Sequence, residues 1–278
     1  MKKLVFIATM LMLAIACDSR RPAEPEAGQL AEPVVLKAGS LLGHHTVNYK
    51  LTSGVMLDEW LNFMRDEFAT VGEKYFPGMK TFVLRGRTGE CVGCVGYLYF
   101  FESTDLRDKY INDDGSFTEL GTAEWEKLQP VFEEERKLVE YTTNFTDWEI
   151  ISDAGTPGPE LQPGNLLGFH TIHSELAPGV AEDEWLDFMK DEYAPAWEEN
   201  FPGLKGFVLN GRTGECKGCF GFLVFFESVE VRDRYWNADG SYTEVGQESL
   251  EKMQPVFERG GRYGEYTATY TDWLIQFR

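Results

Sequence analysis

The sequence predicts an α+β protein built from two βαββαβ repeats, whose antiparallel sheets pack into one pseudo-dimeric α/β barrel. The first observation is an internal duplication: the segment that begins at Leu41 recurs at Leu166, and the offset of 125 residues holds without a gap through Trp148 and Trp273. Of the 110 positions from 41 to 150, 63 are identical in the second copy, which indicates a tandem duplication. The second observation is that both copies show the same order of strand and helix patterns.

The chain before the repeats predicts export and a lipid anchor. Residues 1–16 combine Lys2 and Lys3 with an apolar stretch that is too short to span a bilayer, as is typical of a signal peptide. Small residues precede Cys17, and this pattern resembles the lipobox of bacterial lipoproteins. The resemblance implies that Cys17 is acylated and holds the mature chain on a membrane of the bacterial cell envelope, facing the periplasm or the exterior. An ordinary secretory signal cut near Cys17 is the alternative.

Composition and the internal duplication predict the bounds of the tether, the two repeats and the linker. Residues 17–40 hold three prolines and no periodic pattern, so they predict a flexible tether that begins at the lipidated cysteine. Repeat 1 spans residues 41–150, and repeat 2 spans residues 166–278. The Pro/Gly-rich residues 151–165 predict a linker, whose extended length of roughly 45 Å lets the repeats pack in any orientation.

The first half of each repeat predicts a strand and a helix. Alternating apolar residues from His44 onward predict the strand. Apolar residues at helical spacing from Leu61 to Tyr75 predict an amphipathic helix that ends at Pro77. In repeat 2, Pro195 predicts a kink or an early stop of the same helix.

The second half of each repeat predicts a hairpin, a split helix and a last strand. Two strands joined by a turn of Gly and Cys predict the hairpin, which ends near Ser103. Ser103 predicts the cap of a short helix through Tyr110. An Asp-Gly turn follows, residues 122–138 predict another helix, and residues 140–150 predict the final strand.

The element order predicts a four-stranded antiparallel sheet with helices on one face, so the other face needs a cover. This order, together with the segment from Tyr49 to Phe68, resembles the dimeric α/β-barrel superfamily of ferredoxin-like proteins. That group includes the antibiotic-biosynthesis monooxygenases, the EthD-like proteins and the NIPSNAP-like proteins. The resemblance implies that one chain forms the barrel that relatives build from two subunits, and therefore that the protein is a monomer.

Four cysteines follow Cys17 and form two copies of the motif R-T-G-E-C-x-G-C-x-G at the predicted hairpin tips. In an exported protein, paired cysteines predict local disulfides, here Cys91–Cys94 and Cys216–Cys219. The alternative is one zinc ion held by all four thiolates, which requires the two tips to meet. No other cofactor is predicted.

The formal net charge of −20 argues against nucleic acid as a partner, because a phosphate backbone requires clustered Lys and Arg. The sequence also lacks a nucleophile elbow, a phosphate loop and a dinucleotide fingerprint. The classes of enzyme that these motifs mark are therefore not indicated.

The candidate catalytic residues are His45 and His170, the one pair of histidines at equivalent positions. They alternate in phase with Val47 and Ile172, so we expect them to face an apolar layer. A histidine inside the barrel can act as a general base or bind a metal. A core histidine that is hydrogen-bonded to a neighbouring group is the alternative.

Four arginines are candidates for binding an anionic ligand. Arg87 and Arg212 lie beside the cysteine turns, and Arg107 and Arg232 open the second helix of each repeat. Ion pairs with neighbouring acidic residues explain these arginines equally well.

Three functions remain open at this point. The first is a cell-envelope lipoprotein whose barrel binds a small apolar or aromatic molecule, with Trp60 and Trp185 as candidates for stacking on it. The second is an enzyme resembling the cofactor-independent monooxygenases, with His45 or His170 in the barrel. The third is a structural or interaction module without a ligand. An open barrel interior that holds a histidine favours the first two, and a filled interior excludes a site there.

Overall fold

The computed structural model describes residues 33–152 and 158–278. The predicted signal peptide (residues 1–16) and the predicted lipidation site, Cys17, lie outside these ranges. No helix within the described ranges is both long and apolar enough to cross a membrane.

Repeat 1 has the predicted order βαββαβ, preceded by one short strand. Its elements are β1 (Val34–Val35), β2 (Leu41–Leu51), α1 (Leu57–Phe63), a π-helical segment (Met64–Ala69), α2 (Thr70–Tyr75), β3 (Met79–Gly89), β4 (Val95–Phe101), α3 (Thr104–Arg107), α4 (Glu119–Lys127), α5 (Gln129–Glu135) and β5 (Val139–Ile150).

Repeat 2 follows the same plan, again with a short strand in front. Its elements are β6 (Glu160–Leu161), β7 (Leu166–Leu176), α6 (Glu182–Phe188), a π-helical segment (Met189–Tyr193), α7 (Ala194–Asn200), β8 (Leu204–Gly214), β9 (Phe220–Phe226), α8 (Val229–Tyr235), α9 (Glu244–Gly260) and β10 (Gly264–Phe277).

The early stop predicted at Pro195 does not occur. Pro195 lies in the first turn of α7, directly after the π-helical segment, and the helix continues past it to Asn200. Repeat 1 has a π-helical segment at the equivalent place and Thr70 in place of the proline, so the proline does not cause this irregularity.

The eight long strands close into one barrel with the order β10-β3-β4-β2-β5-β8-β9-β7. Strands β5 and β8 pair antiparallel across one seam between the repeats, and β10 and β3 pair across the other. Each sheet therefore covers the face that the other leaves open, and the predicted pseudo-dimeric barrel is confirmed.

The barrel interior is packed with large apolar side chains. Every long strand contributes to one buried cluster, which includes Trp148 and Trp273. A Cβ at Gly96 would lie 2.9 Å from the Trp273 ring, and a Cβ at Gly221 would lie 3.0 Å from the Trp148 ring. Glycine at these two positions therefore gives the indoles the room to fill the interior.

The two short strands close one end of the barrel. Val34 of β1 pairs with Leu161 of β6, and both side chains, with Leu36, join the interior cluster. The predicted tether therefore ends before Val34, and the predicted linker contains β6. Burial of these apolar side chains is the physical reason for both differences.

The helices cover the outer faces of the barrel. In repeat 1 they bury a cluster that includes Trp60, Phe68 and Phe132 against the sheet, and in repeat 2 a cluster that includes Trp185 and Phe201. Each repeat thus has an apolar layer between its sheet and its helices, distinct from the barrel interior.

Candidate functional site

Each repeat holds a cavity between the outer face of its sheet and its helices. The first-repeat cavity has a volume of about 270 Å³ and is lined by His45, Tyr97, Tyr99, Phe145 and Asp147, among others. The second-repeat cavity has a volume of about 230 Å³. It is lined by the equivalent residues of repeat 2, His170, Phe222, Val224, Tyr270 and Asp272. The duplication has therefore produced two cavities with a histidine at the same position.

The expectation that His45 or His170 lies inside the barrel is wrong. Both side chains line the sheet–helix cavities, in phase with Val47 and Ile172 of the outer apolar layers. On β2 the inner-face histidine is His44, whose ring stacks on Phe169 of the interior cluster. The alternation along β2 predicts that neighbouring histidines face opposite ways, but not which way is inward.

Burial keeps both cavity histidines neutral. It lowers the pKa of His45 to about 3. It also lowers the pKa of His170 to about 4, although Asp272 opposes the shift. A neutral imidazole offers one hydrogen-bond donor and one acceptor. Nδ1 of His45 is buried and has no hydrogen-bond partner among the described residues.

Aromatic rings surround His45. Its ring stacks on Tyr97 and Phe145, with centroids 4.5 and 5.2 Å away, and meets Tyr99 edge-on at 5.0 Å. Burial raises the pKa of both tyrosines, so their hydroxyls stay protonated and can donate hydrogen bonds. The first-repeat cavity thus offers a flat aromatic wall with polar groups in it.

A buried carboxylate extends this polar lining. Glu135 accepts hydrogen bonds from Nε1 of Trp60 at 3.0 Å and from the Tyr141 hydroxyl at 2.9 Å. Burial raises the pKa of the Glu135 carboxyl, and the two hydrogen bonds oppose that rise. Glu135 and Tyr141 line a neighbouring cavity of about 730 Å³, together with Tyr97 and Tyr99.

The two repeats differ at these polar positions. Repeat 2 has Gly260 where repeat 1 has Glu135, and Val224 where it has Tyr99. Aromatic residues enclose the second-repeat cavity instead, including Tyr193, Trp197 and Trp236. Both cavities are lined mainly by aromatic and apolar residues, and the second-repeat cavity suits an aromatic molecule.

Arg107 and Arg232, two of the candidate anion-binding residues, are bound inside the protein. Nε of Arg107 donates to Asp147 at 3.1 Å, and its Nη2 donates to Oγ1 of Thr213 in the other repeat at 3.0 Å. Nη1 of Arg107 donates to the backbone carbonyls of residues 111 and 112. The guanidinium is only 1% exposed and leaves little capacity for an anionic ligand.

Repeat 2 contains the same network. Nε of Arg232 donates to Asp272 at 3.0 Å, and its Nη2 donates to Oγ1 of Thr88 at 3.1 Å. Asp147 and Asp272 thus each join an arginine of their own repeat to a threonine of the other. These networks hold the seams of the barrel together and border the two cavities.

Arg87 and Arg212 lie at the surface in ion pairs. Arg87 contacts Asp233 at 2.6 Å, and Arg212 contacts Glu149 at 3.1 Å and Asp113 at 3.3 Å. Each of these two arginines therefore pairs with acidic residues of the other repeat. Neither guanidinium lines one of the two sheet–helix cavities.

The two candidate tryptophans differ in role. Trp60 is buried, and its Nε1 donates a hydrogen bond to Glu135. Trp185 lines the second-repeat cavity, where its ring lies 5.1 Å from Phe220. Only Trp185 is therefore placed beside space for a ligand.

The cysteines form the two predicted local disulfides. Cys91 is bonded to Cys94 and Cys216 to Cys219, with Cα–Cα distances of 5.4 and 5.2 Å. Across residues 33–152 and 158–278, no group of three or more His, Cys, Asp and Glu residues is placed to bind a metal ion. The alternative zinc set of four thiolates is therefore not assembled.

Sequence reasoning missed several residues of the cavities, above all Tyr97, Tyr99, Tyr193 and Glu135. The tyrosines lie in segments read as core strands and helices, where an aromatic residue is ordinary. One signal was available: position 135 changes from Glu to Gly between the copies, within a stretch that otherwise predicts a helix face.

No family model matches the sequence, and no curated protein matches it. Among solved structures, the chain is similar to an anthrone oxidase-like protein, with 14% identity, 87% of this chain and 94% of that chain covered, and a TM-score of 0.42. It is also similar to a heme-binding protein from Thermus thermophilus, with 10% identity, 87% and 93% covered, and a TM-score of 0.43. A mutant chlorite dismutase from Candidatus Nitrospira defluvii gives 8% identity, 86% and 92% covered, and a TM-score of 0.46. Likenesses this distant assign no function to the chain.

Proposed function

We propose that this protein is a cell-envelope lipoprotein that binds a small apolar or aromatic molecule. The ligand site is the second-repeat cavity, with its aromatic walls and His170. The packed barrel interior moves the site from the lumen to the layer between sheet and helices. The observation that carries the proposal is the aromatic lining of this cavity.

The size of the cavity limits the ligand. Its volume of about 230 Å³ exceeds the ~150 Å³ of an apolar cavity that holds benzene. A molecule of one or two fused rings therefore fits. His170 and the Tyr270 hydroxyl also line the cavity and give such a ligand a polar contact.

Indole tests this assignment by isothermal titration calorimetry. Ala268 lines the cavity and is exposed, so Ala268→Trp should fill the entrance without disturbing the core. We expect the substitution to weaken indole binding at least tenfold. Thr267→Trp is the matched control, because neighbouring strand residues point to opposite faces. Equal affinity in the two variants, or no indole binding by the wild type, would refute the site.

The lipid anchor is part of the proposal and has its own test. Cys17→Ser should abolish partitioning of the exported protein into detergent, since the acyl chains supply the affinity for the membrane. Unchanged partitioning would exclude lipidation at Cys17 and leave the ligand site unaffected.

A second candidate function is the oxidation of a phenol to a quinone by dissolved oxygen, with release of water, in the first-repeat cavity, as in an enzyme resembling the cofactor-independent monooxygenases. His45 favours it, because its neutral imidazole lines this cavity among aromatic rings and can orient a bound phenol. The test is uptake of dissolved oxygen with 1-naphthol by the wild type and by His45→Phe. Uptake that is lost in the variant supports this function, and equal rates exclude it.

A further inference from the structure

The second-repeat cavity has a polar corner where strands β7 and β10 lie side by side. In the register of these strands, His170 is opposite Tyr270 and Gly168 is opposite Asp272. The side chains of His170, Tyr270 and Asp272 all line the cavity. Because the rest of the wall is mostly aromatic or aliphatic, this corner is the place where a bound molecule can be oriented by hydrogen bonds.

The glycine opposite Asp272 leaves space beside the carboxylate. A Cβ at Gly168 would lie 2.8 Å from Oδ1 of Asp272 and 3.5 Å from Nε2 of His170. Any larger residue at this position would therefore crowd Oδ1. The Asp272 side chain is 6% exposed and belongs to the lining of the cavity. Oδ1 is thus the oxygen of this carboxylate that a ligand can approach.

The two carboxylate oxygens of Asp272 have different roles. Oδ2 accepts hydrogen bonds from Nε of Arg232 at 3.0 Å and from the hydroxyl of Thr88. Oδ1 accepts none from residues 33–152 or 158–278. A carboxylate paired with an arginine accepts hydrogen bonds and donates none, so Oδ1 favours a ligand atom that carries a hydrogen.

The buried charges of this corner balance each other. Arg232 also lines the cavity, and its guanidinium pairs with Asp272. Burial lowers the pKa of His170 to about 4, so the imidazole adds no charge at neutral pH. An ionic ligand would bring an unpaired charge into this site, which is costly, and the corner therefore favours a neutral molecule.

We propose that the ligand of the second-repeat cavity is a neutral aromatic compound with an N–H or O–H group, and that this group donates a hydrogen bond to Oδ1 of Asp272. The inference rests on the proposed function and adds the class of ligand and the residue that selects it. An aromatic molecule without a donor leaves Oδ1 without a partner, and a site built for a hydrogen bond rejects such analogues. An aromatic carboxylate is disfavoured as well, because Oδ1 repels its charge.

Indole and benzofuran test the proposal by calorimetry on the folded chain. The two molecules have the same fused-ring shape, but benzofuran has an oxygen in place of the N–H group. We expect indole to bind at least tenfold more tightly. Equal affinities would overturn the selection by Asp272 and leave the aromatic site standing. Absence of binding by both ligands would refute the proposed function together with this inference.

Asp272→Asn tests the residue itself. Arg232 and Thr88 both donate to the Oδ2 position and should hold the amide oxygen there, so the amide N–H2 group would face the ligand. We expect indole binding to weaken at least tenfold and benzofuran binding to stay as in the wild type. Asp147→Asn is the matched control, because Asp147 pairs with Arg107 in the same way and lines the first-repeat cavity instead.

Both substitutions remove the charge that pairs with a buried arginine, so we expect similar decreases in the thermal midpoint. The midpoints also show that each variant is folded at the temperature of the titration. An equal loss of indole affinity in the two variants would overturn the role of Asp272, as would an equal loss of both ligands in Asp272→Asn. The comparison of indole with benzofuran on the wild type decides the question if Asp272→Asn does not fold.

Discussion

His44 and Phe169 occupy the same position in the two repeats, and their rings stack with centroids 4.5 Å apart and planes 9° from parallel. A residue that contacts its own counterpart lies on the twofold axis. In a homodimer both would be the same residue. The duplication allows one histidine and one phenylalanine here, so a polar ring lies on one side of the axis only.

The first prediction concerns this pair. His44→Phe should raise the free energy of unfolding by about 1 kcal/mol, because it removes a buried nitrogen without a partner and keeps the stacked ring. Urea denaturation measures the change. His173→Phe, on the same face of the equivalent strand but exposed, is the control and should have little effect. Destabilisation by His44→Phe would mean that Nε2 has a partner in solution.

The second prediction is a pH dependence of stability. Burial lowers the pKa of His170 to about 4, below the 6.5 of an unfolded chain, so the unfolded state binds more protons between these values. His170 therefore contributes stability that is complete above pH 6.5 and is lost as the pH falls toward 4. Each such histidine adds a slope of up to about 1.4 kcal/mol per pH unit in this window.

Urea midpoints from pH 7.5 to 4.5 measure that slope. His170→Phe should flatten the curve relative to the wild type below pH 6.5, whereas His173→Phe should leave it unchanged. Parallel curves for the wild type and His170→Phe would show that His170 is accessible to protons in the folded state.

The third prediction concerns the seam between the repeats. Asp147→Ala should destabilise the protein by about 3–5 kcal/mol, because it removes the buried counter-charge of the buried Arg107. Arg107→Met/Asp147→Leu should cost less, since it removes both charges together. Asp108→Ala is the control: Asp108 also pairs with Arg107 but is exposed, so about 0–1 kcal/mol is expected. Equal losses for Asp147→Ala and Asp108→Ala would contradict a dominant role of the buried contact.

The fourth prediction concerns the hairpin tips. Cys91→Ala/Cys94→Ala opens a loop of four residues, which corresponds to about 2 kcal/mol of lost stability in the chain-entropy estimate. Mass spectrometry without reductant should show the mature chain lighter by the four hydrogens of two disulfides. Free thiols with bound zinc would contradict the disulfide assignment.

Local patterns were sufficient to predict most of the fold. The offset between Leu41 and Leu166, the alternation in the strands and the helical spacing from Leu61 onward depend on near neighbours in the sequence. The resemblance to two-subunit barrels predicted that the sheets of the two repeats form one barrel, and the structure confirms this prediction.

The site was less predictable, because it depends on contacts between distant positions. Both faces of β2 are apolar, with Leu42 inside and Val47 outside, so the pattern alone could not place His45. The partners of Arg107 depend on strand register across a seam, since Asp147 and Thr213 lie 40 and 106 residues further along the chain.

The strand pairs that join the two repeats also set the order in which the barrel can form. Strand β3 pairs with β10, and Thr88 donates a hydrogen bond to Asp272, 184 residues later in the chain. During synthesis the edge of β3 is therefore without its partner until almost the whole chain has emerged, and an unpaired edge invites aggregation. The local disulfide between Cys91 and Cys94 joins residues made almost together, so it can fix this hairpin long before the barrel closes.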